Sequence, residues 1–126
     1  MKTIINTEHA PKAIGPYSQA IETNGMLFIS GQIPIDPLSG KIVEGGIEEQ
    51  TEQVMKNIGA ILSAAGYSFA HVVKSTCLLA DMKYFADMNK VYARYYTTAP
   101  PARAAFAVKE LPLQALVEIE TIAVKE

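Results

Sequence analysis

Arg103 is one of only two arginines in the chain, and it stands in an otherwise apolar run, Ala102-Arg103-Ala104-Ala105-Phe106-Ala107-Val108. A guanidinium in such surroundings costs free energy unless an anion pairs with it, so a partner is expected. The small neighbours leave room beside it, and its planar fork matches a carboxylate through two parallel hydrogen bonds. Two readings are open from these residues. Arg103 either holds a ligand carboxylate or forms a subunit salt bridge, for instance to Glu118. Glu118 and Glu120 lie two residues apart, so on a strand they share one face. An alternating Glu pair ordinarily marks a solvated face.

The remaining reactive residue types set limits. Ser30 and Gly31 end a predicted strand, and no His or Lys base stands in the local motif, so Ser30 is not read as a nucleophile. A strand-end serine satisfying backbone groups is the competing reading. Cys77 is the only cysteine; it excludes an internal disulfide or a zinc set and is read as a small buried residue. His9 and His71 are expected to be structural or exposed. The formal net charge is −2, the isoelectric point is about 5.7, and no Lys or Arg run occurs. Nucleic acid is therefore not expected as a partner, because neutralising phosphates needs a positive stripe. No stretch of about 18 apolar residues exists and Met1 to Asn6 is not of signal-peptide type, so no membrane association and a reducing, cytoplasmic location are expected.

These groups must be positioned by a short chain. At 126 residues one domain, 1–126, is expected, burying roughly two-thirds of the unfolded surface without disulfide or metal. The mean hydropathy of +0.13 is slightly high for so small a monomer, which fits apolar surface buried between subunits. Strands are predicted at Thr3 to Ile5, Ser18 to Glu22 and Met26 to Gln32, the last two joined by a hairpin turn at Asn24-Gly25. Pro34, Pro37 and Gly40 mark a loop. Ile47, Val54, Met55, Ile58, Ile61, Leu62 and Ala65 recur at spacings of three, four and seven, predicting an amphipathic helix from Ile47 to Ala65 that stops at Gly66. A strand over Val72 to Ala80 follows. Asp81 is placed to cap a helix from Tyr84 to Tyr96, with strands at Ala102 to Lys109 and Leu116 to Val124 closing the chain. The order β, ββ, α, β, α, ββ predicts an α+β domain with a six-stranded mixed sheet and two helices on one face. The other face then needs a cover, and another copy of the same surface supplies it most simply.

Three segments carry a resemblance: Ile14-Gly15-Pro16-Tyr17-Ser18-Gln19-Ala20, Ile29-Ser30-Gly31-Gln32-Ile33-Pro34, and Pro101-Ala102-Arg103 followed by Glu118-Ile119-Glu120. They closely resemble the RidA (YjgF-type) family over essentially the whole chain. The resemblance implies a chorismate-mutase-like fold, a homotrimer with three intersubunit clefts, and no metal or organic cofactor. It implies hydrolysis of reactive 2-imino and 2-enamino acids, such as 2-aminoacrylate, to 2-keto acids and ammonia. Arg103 would hold the substrate carboxylate, and Glu118 would hold or activate water at the imine carbon or else orient Arg103. Ser30, Gly31 and Tyr17 would contact the ligand, Tyr17 from the same or the adjacent subunit, and Asn89 matches a family Asn on the second helix. Many members carry Cys where this chain has Ala105, so no thiol acts there, although the Ala105 carbonyl is still available to position water. Phe106, Ile33 and the Pro34 to Gly40 loop are candidates for shaping the pocket. A non-catalytic keto-acid binder and, less favoured, an endoribonuclease or translation inhibitor are the alternatives.

Overall fold

Asn24 and Gly25 both adopt left-handed backbone, with φ of 51° and 73°, as a tight two-residue hairpin turn requires. In the computed structural model, which describes residues 1–126, this turn follows β1 (Thr3–Ile5) and joins β2 (Ala20–Thr23) to β3 (Met26–Gln32). Next come β4 (Ile35–Asp36), β5 (Lys41–Ile42), α1 (Ile47–Ala64) and β6 (Val72–Leu79). The chain closes with α2 (Phe85–Tyr92), β7 (Ala102–Ala107) and β8 (Val117–Val124). The six-stranded sheet has the order β1-β2-β3-β8-β6-β7. Only β6 and β7 are parallel, and α2 lies in the crossover between them. The α+β class, the mixed sheet and the two helices agree with the sequence expectation.

Several details differ from it; β2 starts two residues later than expected, and β6 ends one residue earlier. The expected Pro34 to Gly40 loop contains β4 and turns into β5, forming a small hairpin. The carbonyls of Ile33, just before the hairpin, and of Ile35 within it accept from the buried Asn57 amide of α1, at 3.3 and 3.0 Å. The second helix is shorter than Tyr84 to Tyr96. Asp81 caps a single 3-10 turn through the Lys83 N–H (2.8 Å), and α2 closes at Tyr92. Beyond it the backbone tightens into three-residue turns, and the Tyr96 ring is buried 4.8 Å from that of Tyr92. Burial of that aromatic ring outweighs one more regular helical turn. Finally, β7 and β8 are each shorter than predicted, since Val108, Lys109 and Leu116 lie outside the ladder.

Both helices cover one face. Val54, Met55, Ile58, Ile61 and Leu62 of α1 are fully buried together with Leu27, Cys77, Leu79, Val117 and Ile119 of the strands. Strand alternation sends the intervening residues to the other face. Phe28, Thr76, Leu78, Phe106, Glu118, Glu120 and Ile122 therefore share an open surface, on which Phe28 is 39% and Phe106 47% exposed.

Candidate functional site

The pairing of β3 with β8 shifts register between Ile29 and Gln32, so Ser30 and Gly31 sit in a bulge opposite the start of β8. The bulge lets the Glu118 carboxylate lie directly against the Gly31 backbone, where a Cβ would overlap it. That close approach, and not an unusual φ, is the reason for glycine here. The Ser30 hydroxyl donates to the Ser18 carbonyl at 2.6 Å, while its N–H bonds to the Gln19 carbonyl at 3.0 Å. The reading of Ser30 as a strand-end residue satisfying backbone thus holds for its proton, and toward any ligand the hydroxyl can only accept. Tyr17 is 50% exposed, and its phenol oxygen accepts from the Ile14 N–H at 3.4 Å.

The loop carrying Tyr17 is fixed by a residue that sequence reasoning passed over. Gln19 is buried; its Oε1 accepts from Thr7 N at 2.7 Å, and its Nε2 donates to the carbonyls of Thr7, Ala10 and Pro11. The available signal was a long amide at the entrance to an apolar strand, which must find several backbone partners if it is buried. Tyr17, Ser30, Gly31, Ile33, Glu118 and Glu120 all line one cleft of about 560 Å³, with the Leu113 side chain at its rim. Burial pushes the Glu118 carboxyl above the ordinary carboxylate value, and the neighbouring Glu120 charge pushes it the same way. Glu118 is thus a better proton acceptor than a solvated carboxylate.

Arg103 is elsewhere. In the β6–β7 register it pairs with Ser75, which is buried beneath the helices, whereas Glu118 pairs with Leu78 on the open face. The two side chains therefore leave opposite faces of the sheet. Arg103 lines a second cleft with Asn89, Tyr92, Tyr96, Pro100 and Pro101. Its Nη1 donates to Asn89 Oδ1 at 2.6 Å, and its Cζ lies 5.4 Å from the Phe85 ring and 5.0 Å from the Tyr92 ring. It forms no ion pair; the chain's three salt bridges all involve Lys90 or Arg94.

Within one chain the guanidinium is neither enclosed by apolar neighbours nor paired with an anion; the anion expected from the sequence was a ligand's or another subunit's. The run around Arg103 is on an edge strand and the side chain is solvent-exposed, so within the chain only a neutral amide and two ring faces meet it. A salt bridge to Glu118 of the same chain is excluded by the sheet between them. Ala105 lies beside Cys77 in the ladder, on the helix-facing side, and lines neither cleft. The Cys77 thiol is fully buried, and burial pushes its pKa up to about 11 against the opposing effect of Arg103. His71 accepts from the Ser68 N–H at 3.0 Å within a turn, and His9 is exposed. No group of three His, Cys, Asp or Glu side chains is placed to hold a metal ion, and no helix is long and apolar enough to cross a membrane.

Comparison with known proteins places these features in context. The family model described as Endoribonuclease L-PSP matches residues 7–125. A RutC family protein of Pyrococcus horikoshii is 59% identical over 126 residues, covering all of both chains. A Mus musculus protein named 2-iminobutanoate/2-iminopropanoate deaminase is 50% identical over 125 residues, 99% of this chain and 93% of its own. Among solved structures, one from Thermotoga maritima, described as a candidate endoribonuclease, superposes with a TM-score of 0.98 at 53% identity, covering 100% of this chain and 99% of the other. Escherichia coli TdcF with bound serine superposes with a TM-score of 0.94 at 38% identity, covering 98% and 99% of the two chains.

Proposed function

Because the chain belongs to the endoribonuclease L-PSP (RidA/YjgF) family, we propose that it is an imine deaminase that converts 2-imino acids to 2-keto acids and ammonia. The observation that carries this reading is the Arg103 guanidinium, held in place by Asn89 and two rings with no carboxylate of its own chain to satisfy it. The small carboxylate of an imino acid fits that vacancy of charge, and serine in the bound TdcF structure is a ligand of the same size and kind.

Arg103 and Glu118 leave opposite faces, so one chain does not present both to a small molecule. The catalytic cleft therefore forms between copies. β7 is an edge strand, and its Arg103 meets the Glu118 cleft of a neighbouring subunit in a homotrimer whose open sheet faces pack inward. The exposed Phe28, Phe106 and Ile4 side chains support such packing.

Within the assembled cleft Arg103 docks the carboxylate and fixes the plane of the C=N bond. Glu118, seated on Gly31, takes a proton from water as the oxygen adds to the carbon of the protonated imine, giving a carbinolamine. Glu118 passes that proton to the amino nitrogen, and as the C–N bond breaks and ammonia leaves, the hydroxyl gives its proton back to Glu118 and the C=O bond forms. Protonated imines are already electrophilic, so orientation and one proton carrier suffice. Tyr17 and the accepting oxygen of Ser30 contact the ligand from the Glu118 side. RNA fits these clefts less well. The larger one carries two glutamates against Lys12, which suits a small monoanion better than a polyphosphate.

The test generates imines in solution with an amino-acid oxidase and follows their decay and keto-acid formation. Wild type accelerates the decay, while Arg103→Ala and Glu118→Gln do not. Mixing the two inactive variants and allowing subunit exchange restores about a quarter of wild-type activity if each site takes one residue from each of two copies. Unchanged decay with wild type would leave keto-acid binding as the function; cleavage of labelled RNA insensitive to keto acid would favour a nuclease.

A further inference from the structure

Three residues that do not line the Glu118 cleft recur on one side of α2. Phe85, Asn89 and Tyr92 follow the spacing of four and three that stacks side chains along a helix face. All three touch the same group. Phe85 and Tyr92 offer ring faces 5.4 and 5.0 Å from Arg103 Cζ, and Asn89 Oδ1 accepts from Nη1 at 2.6 Å. Asn89 occupies one donor of the guanidinium; the others have no partner in the chain and are available to a carboxylate.

The two rings differ in what holds them. Phe85 is half-buried at the start of the helix. Tyr92 is 6% exposed, and its hydroxyl is buried beside those of Ser75 and Tyr96. Ser75 is also the ladder partner of Arg103. Burial therefore packs the Tyr92 ring over the strand adjoining the one that carries the arginine. A long, flexible side chain exposed at a sheet edge would otherwise lose much rotamer freedom on gripping a ligand. Here the freedom is already lost before binding.

We infer that Phe85 and Tyr92 are positioning residues that, with Asn89, clamp the Arg103 guanidinium in its carboxylate-gripping orientation. The inference rests on the reading of Arg103 as the carboxylate anchor and adds what determines its precision. Neither ring contacts the reacting atoms; both act through Arg103.

Binding of 2-ketobutyrate, measured by calorimetry, tests the clamp independently of turnover. Phe85→Leu, at the half-buried position, is expected to weaken binding about fivefold, the scale of one cation–π contact. Tyr92→Leu should do at least as much, and Tyr92→Phe, which keeps the ring, should bind like wild type. In the Arg103→Ala background Phe85→Leu should have no further effect, whereas a merely structural loss would add to it. In imine turnover the loss should appear in KM for the carboxylate substrate and be absent for the corresponding imine methyl ester. Wild-type-like 2-ketobutyrate affinity in Phe85→Leu, or a loss in Tyr92→Phe equal to that of Tyr92→Leu, overturns the clamp. So does wild type that binds no keto acid at all. Wild type that binds 2-ketobutyrate without hydrolysing imines removes the deaminase reading and leaves the clamp to stand on the binding series.

Discussion

Replacing Gly31 by alanine separates the stability of the fold from the geometry of its cleft. The backbone of Gly31 is not left-handed, so alanine is conformationally acceptable and removes some unfolded-state entropy, a gain of about 0.5–1 kcal/mol. Against it stands the Glu118 side chain. The new methyl would lie 3.0 Å from Glu118 Cδ and 3.2 Å from Cγ, and would overlap the carboxylate oxygen. Ordinary carbon contacts are ~3.5–4.0 Å, so the carboxylate has to move by about 1 Å. Glu118 is only half-buried and can swing outward, which keeps the overpacking cost near the lower end of ~1–3 kcal/mol. The net change in stability is then within about 1 kcal/mol. Displacement of a catalytic group by about 1 Å costs on the order of 100-fold in rate. Gly31→Ala should therefore melt within a few degrees of wild type by calorimetry while kcat/KM for imine hydrolysis falls about 100-fold. Full activity in Gly31→Ala, beside an inactive Glu118→Gln, would show that the seat on Gly31 does not position the carboxylate.

Four further outcomes follow from named residues. Glu118 is held above the ordinary carboxylate value by burial and by Glu120, so the acid limb of the kcat/KM profile should lie above the usual carboxylate range. Glu120→Gln removes one of those causes and should move the limb to lower pH; an unmoved limb refutes the coupling. The same elevation means that the folded chain binds the Glu118 proton more tightly than the unfolded chain. Its favourable contribution is complete below the unfolded carboxylate value and is lost as pH rises through the folded one, so Glu118→Gln should gain thermal stability relative to wild type at pH 7 and not at pH 3. Asn57→Ala strips the carbonyls of Ile33 and Ile35, at the start of the β4–β5 hairpin, and the Gln53 amide of their partner. It should cost about 3 kcal/mol in urea denaturation, and a loss below about 1 kcal/mol would show that the hairpin is held by other means. Leu113 has φ 56° and is 60% exposed, so Leu113→Gly relieves left-handed strain at little cost in burial. A rise of up to about 1 kcal/mol, seen as a melting point a few degrees higher, is expected.

Much of this molecule was readable before any fold was known. Local chemistry decides the Asn24-Gly25 turn, the stripe of α1 and the alternation of β8, because each depends on neighbours within a few residues. The candidate residues were readable for a related reason: Tyr17, Ser30, Gly31, Arg103 and Glu118 stand in short segments whose residue types are unusual together. Their spatial relation was not. Whether Arg103 and Glu118 share a face depends on the register of β6 with β7 and of β6 with β8, and a one-residue slip in either would reverse the answer. The packing of Phe85 and Tyr92 on Arg103 was equally hidden, since it joins residues whose meeting depends on how α2 crosses the sheet. Gln19 and Asn57 looked like ordinary polar positions until burial showed how many backbone groups each satisfies. Sequence thus determined which groups this protein has to work with and which local elements carry them. Tertiary structure alone decided that the arginine and the glutamate stand back to back, because strand pairing is a long-range choice that no local pattern encodes.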